Sequence, residues 1–245
     1  MDNTMYVGLS RQMILRRELD VVANNIANAD TVGFKVESLM SRVEPRRLVG
    51  DSPVAQPVKF ALDSGVARDF GQGTLQRTSA PLDVAIEGQG FFKVRTPAGE
   101  RYTRDGRFST DSTGRLVTKA GQPVLDDSGS EIVLDPEKGE PTISRDGVIS
   151  QGILRVGKLG AYRFDSLSAL EKTGDGLFRN TSNQQPQAAT AALLHQGMTE
   201  ASNVQPIQEI TRMIEVTRAY ESVSNMMDQT AQLDRKSIQR LGQVN

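Results

Sequence analysis

The chain has 245 residues, 29 Lys and Arg against 30 Asp and Glu, and a net charge of −1, which excludes a basic field able to hold nucleic acid or an anionic membrane. Its hydrophobic share is 37% and its aromatic share 5%, with no Trp, as in a soluble chain with substantial loop content. The absence of Cys removes disulfides, thiolate nucleophiles and zinc–thiolate sites together.

Met5, Gly8, Gln12, Leu15, Leu19, Val22, Ile26 and Ala29 fall on alternating three- and four-residue steps, which predicts a long helix ending near Asn28–Thr31. Gly33 then supplies a turn residue free to take positive φ. Arg11, Arg16, Arg17, Glu18 and Asp20 interrupt the first apolar patch, so no secretory h-region is expected. No run approaches the ~18 apolar residues that cross a membrane. The expectation is a protein that stays inside the cell or leaves it without cleavage.

Residues 36–64 read as a connector, with Pro45, Pro53, Pro57, Arg46-Arg47 and Gly50-Asp51-Ser52 and no clear period. Residues 65–180 read as an all-β domain, a sandwich or open barrel. Fifteen of the 22 glycines lie between Gly65 and Gly160, punctuating short alternating runs such as Leu82–Glu87, Phe91–Thr96, Phe108–Thr110 and Ile153–Leu159. Residues 181–203, rich in Gln, Asn, Ser, Thr and Ala, form a return connector with one edge strand at Ala192–His195.

The last element is a helix over 204–245, capped by Asn203 and carrying Pro206 in its first turn. At about 38 residues it would span roughly 57 Å, far beyond an average globular helix. Its triplets from Ile207 to Glu221 wind an apolar ridge around the helix, and Met213, Val216, Tyr220, Val223 and Met227 form a 3-4 seam. Such a helix needs neighbours on more than one side, from this chain or from other copies. The fold class is therefore α+β: long N- and C-terminal helices that pair, and a central all-β domain.

No catalytic, cofactor or metal site is expected. His195, the single histidine, has no Gly-x-Ser-x-Gly elbow beside it and reads as a surface or edge-strand residue. Gly88-Gln89-Gly90 precedes a strand rather than a helix, so it is a turn and not a dinucleotide loop. Asp126–Glu131 lacks the ligand spacing of a calcium loop and reads as a hairpin tip. Two other classes stay in view: an oligomeric cell-wall glycan-binding module, for which the strand aromatics alternate as core residues do, and a cell-wall enzyme, for which no credible acid pair is present.

Ala23-Asn24-Asn25-Ile26-Ala27-Asn28-Ala29-Asp30-Thr31-Val32-Gly33-Phe34-Lys35 closely resembles the N-terminal signature of the flagellar rod and hook protein family. Pro81–Phe92 with Arg101-Tyr102-Thr103-Arg104-Asp105-Gly106 is similar to the family's β-domain block, and Met213–Glu221 to its C-terminal helix. The resemblance covers essentially the whole chain. The short connector and overall length are most like members of the proximal rod, with the distal rod as the alternative.

This resemblance implies a structural subunit of the flagellar basal-body rod that spans the periplasm, exported uncleaved by the flagellar type III apparatus. It implies an antiparallel coiled-coil inner layer built from the terminal helices, and partners that are other copies and other rod proteins. No small-molecule substrate and no lipid-embedded segment is implied. The expected subunit-interface residues are Leu15, Leu19, Val22, Asn24, Asn25, Ile26 and Asn28 on the first helix. On the second they are Ile210, Met213, Ile214, Val216, Arg218, Tyr220, Val223 and Met227. Gly33, Phe34 and Lys35 are the expected turn and anchor residues.

Overall fold

The computed structural model describes residues 2–46, 58–182 and 184–241. The chain is α+β, with two long terminal helices and a central β-rich region in two compact units. One unit consists of helix α1 (Asp2–Ala27), strands β1 (Glu37–Arg46) and β2 (Val58–Arg68), and helix α2 (Pro206–Leu241).

Within this unit α1 contacts α2, β1 and β2. Contacts between the helices run in opposite sequence order. Gly8 lies against the Met227 side chain, Arg212 Nη2 donates to Glu18 Oε1 at 2.9 Å, and Asn25 Nδ2 donates to Glu209 Oε2 at 2.9 Å. A Cβ at Gly8 would stand 2.9 Å from Met227 Cγ, so the glycine permits the close approach.

The stretch whose prolines suggest a connector forms instead an antiparallel ladder, from Glu37↔Arg68 to Arg46↔Val58 with an irregularity between Leu39 and Ser41. Pro45 is tolerated because a two-stranded ribbon leaves one side of each strand without a ladder partner. Arg47, Gly50-Asp51-Ser52, Pro53 and Pro57 lie outside the described residues.

α2 begins at Pro206, where a missing N–H breaks no helical bond, and Gln205 O accepts from Gln208 N and Glu209 N. Asn203 is therefore not the cap expected from sequence. Residues 201–205 are non-helical, and its side chain is used elsewhere.

The second unit consists of Asn28–Val36 and Asp69–Val204. Its first strands are β3 (Leu75–Arg77), β4 (Val84–Glu87), β5 (Phe91–Thr96), β6 (Gly99–Thr103), β7 (Phe108–Thr110) and β8 (Leu116–Thr118). There follow β9 (Thr142–Ile143), β10 (Val148–Gln151), β11 (Leu154–Lys158) and β12 (Ala161–Arg163). The last are β13 (Leu170–Gly174), β14 (Leu177–Asn180), β15 (Gln187–Ala188), β16 (Leu193–Gln196) and β17 (Met198–Glu200).

The main sheet has the order β13-β14-β6-β5-β12-β15, a smaller one β11-β10-β9, and three pairs complete the unit: β16-β4, β17-β3 and β7-β8. The described ladders are antiparallel throughout.

Strand β5 shows why the main sheet is covered on both faces. Alternation sends Phe92 and Val94 into one core with Ile86, Leu116, Val124 and Ile149. It sends Phe91 into a second, aromatic core with Tyr102, Tyr162, Phe164, Leu170 and Phe178. Edge-to-face pairs organise that second core, including Tyr102–Phe164 at 4.8 Å and Phe91–Phe178 at 5.8 Å between ring centroids. These rings are interior rather than displayed as a platform for sugars.

Candidate functional site

Two constructions stand out, one in each unit. In the helical unit Asn25, 1% exposed near the end of α1, bonds both backbone groups of Glu37. Its Oδ1 accepts from Glu37 N at 2.9 Å and its Nδ2 donates to Glu37 O at 2.7 Å, as a neighbouring strand would. The same Nδ2 reaches Glu209 at the start of α2. Only a carboxamide carries the donor and acceptor that this requires.

In the β unit, Asn28–Phe34 make tight turns: Thr31 N donates to Asn28 O, Thr31 Oγ1 to Asn28 Oδ1, and Phe34 N to Thr31 O. Gly33 has φ 70°, and a Cβ there would meet the Arg104 carbonyl carbon at 2.8 Å, so no other residue fits. Gly33 N donates to Glu200 O at 2.7 Å. Phe34 is buried, with Lys172 Nζ 4.6 Å from its ring centroid.

Lys35 then enters a buried ionic cluster. Its Nζ donates to Glu200 Oε1 at 2.6 Å and to Gly71 O at 2.7 Å. Arg104 Nη1 donates to Glu200 Oε2 at 3.0 Å and Arg104 Nη2 to Gly88 O at 2.7 Å, while Gly73 N donates to Glu200 Oε1 at 2.9 Å. Asn203 sits alongside, accepting from Val36 N and donating to Asp69 O and Gly71 O.

Burial pushes the Lys35 and Arg104 pKa values down, and the Glu200 carboxylate opposes this in both. A carboxylate with two cations and a backbone N–H is a clamp: it gathers residues 33–36, 71–73, 104 and 200–203, among them the points where the chain passes to and from the helices. Sequence reading flagged Lys35 as an anchor and quoted Arg104 within a motif. It missed Glu200, hidden at the end of an apparently polar connector.

The predicted interface residues divide three ways. Leu15, Val22, Asn25 and Val216 are buried. Leu19, Ile26, Asn28, Met213, Tyr220, Val223 and Met227 are half-buried, and Asn24, Ile210, Ile214 and Arg218 are exposed. At 100° per residue, Ile207, Ile210 and Ile214 occupy a sector of about 60° opposite Val216. Met5, Tyr6, Leu9 and Met13 likewise lie opposite the buried side of α1 and are 43–66% exposed.

His195 Nε2 lies 2.6 Å from Glu87 Oε2 across the β16–β4 pair, at the surface. Asp126 Oδ1 accepts from Ser128 N and Ser130 N, closing a hairpin tip. Among the described residues no group of three or more His, Cys, Asp or Glu side chains is arranged to hold a metal, and no helix is long and apolar enough to cross a membrane.

The helical unit presents apolar side chains of α1 and α2 to solvent. Three family models match in order: "Flagella basal body rod protein" over residues 5–35, "Flagellar hook protein FlgE/F/G D1 domain" over 85–151, and "Flagellar basal body rod FlgEFG protein C-terminal" over 195–240. The flagellar basal-body rod protein FlgF of Caulobacter vibrioides is 58% identical over 245 residues, covering 100% of both chains. FlgF of Mesorhizobium japonicum is 38% identical over 243 residues, covering 99% of both. FlgG of Buchnera aphidicola is 34% identical over 261 positions, covering 97% of this chain and 96% of its own. The chain belongs to the flagellar basal-body rod protein family and is a structural subunit of the bacterial basal-body rod, most like FlgF.

Proposed function

We propose that this subunit builds the proximal rod by polymerising through α1 and α2, which pair as an antiparallel coiled coil and turn a second apolar face toward neighbouring subunits. The observation that carries the reading is the exposure of Ile207, Ile210 and Ile214, at 81%, 48% and 48%, on the side of α2 away from buried Val216. An apolar face in water on a helix already partnered elsewhere is unfavourable by about 25 cal/mol per Å2 and signals a further partner. The exposed face of α1 supplies a matching surface.

The neighbours are other copies and other rod proteins, proximal and distal, and the role is transmission of torque along an axial shaft that spans the periplasm. Alignment with the FlgF relatives at nearly equal length supports the proximal position. The FlgG alignment needs 261 positions to cover 97% of this chain, so that relative carries added residues. The chain reaches the rod through the flagellar type III apparatus. Its terminal helices bury too little in a lone subunit to be settled before neighbours arrive, which keeps subunits from polymerising early.

The test is Ile210→Asp with Ile214→Asp. Both positions are exposed, so the thermal stability of the monomer should be unchanged while recovery of the subunit in purified basal bodies and swimming are lost. Normal incorporation would contradict the reading.

A further inference from the structure

We propose that the β10–β11 hairpin tip of one copy inserts Ile153 into a small cavity on the β unit of the next copy. Ile153 is 101% exposed and Leu154 51%, at a turn where Gly152 takes φ 60°. Turn tips favour Gly, Asn, Asp and Ser, and a branched apolar residue held wholly in water contributes nothing to its own fold.

The receiving cavity, of about 230 Å3, has Leu159, Ala161, Ala189 and Leu194 in its walls and Asp127, Asp146 and Lys158 around it. Small-molecule sites run to about 300–1,000 Å3, so this one is too small for a typical ligand but suits one aliphatic side chain. Charge agrees with the pairing. Two acids and one base surround the cavity, while Arg155 follows the apolar tip on an exposed stretch of β11.

The tip cannot fill its own cavity, because Lys158 lies at the far end of β11, roughly 16 Å along from the turn at Ile153 at 3.3 Å per residue. Knob and cavity are different surfaces of one chain. A head-to-tail contact between them propagates from copy to copy, as an axial structure requires. The proposal rests on the reading above that copies meet in the rod, and adds a contact independent of the helices.

The chain contains no Cys, so disulfide trapping is selective. Full-length Ile153→Cys and Ala188→Cys proteins are mixed at high concentration and oxidised; both positions are exposed and both variants should fold. The mixed disulfide should exceed random pairing about tenfold, the enrichment given by ~1.4 kcal/mol of preference. Arg155→Glu should abolish the enrichment, and Asp127→Arg added on the cavity side should restore it. Random proportions would overturn the proposal. Met13→Cys with Ile214→Cys, trapped in parallel, reports the helical contact: enrichment there with random pairing at Ile153 removes this inference alone, and random pairing at both removes the proposed mode of assembly as well.

Discussion

Lys35 Nζ lies 2.6 Å from Glu200 Oε1, with both side chains fully excluded from solvent, although 165 residues separate them in sequence. Arg104 completes the cluster from the other carboxylate oxygen. Removing the carboxylate should therefore cost far more than removing one cation. Glu200→Gln leaves two buried cations without a counter-charge, and a loss of about 3–5 kcal/mol is expected. Lys35→Met leaves Glu200 with Arg104 and Gly73 N, and Gly71 O still accepts from Asn203, so less than ~2 kcal/mol is expected. Denaturant unfolding of the full chain decides the order; equal losses would contradict the account.

Asn25 makes a second, independent prediction. Asn25→Ala removes its bonds to Glu37 N and O and to Glu209 and should destabilise the helical unit by about 1–3 kcal/mol. Asn25→Asp keeps one acceptor, loses both donor bonds and sets a carboxylate against Glu209. It should be the worse variant of the two, read as lower recovery of the subunit in purified basal bodies.

Gly33 and Gly121 share a left-handed conformation, φ 70° and 80°, but only Gly33 faces crowded backbone. Gly121→Ala should cost about 1 kcal/mol, the conformational part alone. Gly33→Ala must also move the Arg104–Asp105 peptide and should cost clearly more, with reduced recovery of the subunit in the rod.

Burial raises Tyr102 and Tyr162 to about 12, helped by Glu100 beside Tyr102 and Asp127 beside Tyr162. Their folded values exceed the unfolded value of about 10, so the folded state holds more protons between the two. The stability they contribute is fully present below about pH 10 and lost as pH rises toward 12. Tyrosinate absorbance and loss of β structure should therefore rise together over that window, and Tyr162→Phe should narrow the loss.

Much of this was legible in the sequence because single elements carry their own periods. Alternation in Phe91–Thr96 gave β5 with the bounds observed. The β1–β2 ribbon was hidden by Pro45 and by the weak alternation of Glu37–Arg46. Glu200 was hidden for another reason: a buried charge is legible only through its partners, and Lys35 and Arg104 lie far away in sequence. Asn203 looked like a cap because its residue type suits one, yet the same carboxamide serves equally well to bridge Val36 and Asp69.

The central claim is that the terminal helices are completed by neighbouring subunits. Limited proteolysis of the purified full chain beside intact basal bodies, with fragments sized by mass spectrometry, tests it most directly. The account predicts cleavage within residues 2–27 and 206–241 in the monomer, a resistant fragment covering the β unit, and protection of both helices in the rod. Equal protection of both helices in a proven monomer would contradict it.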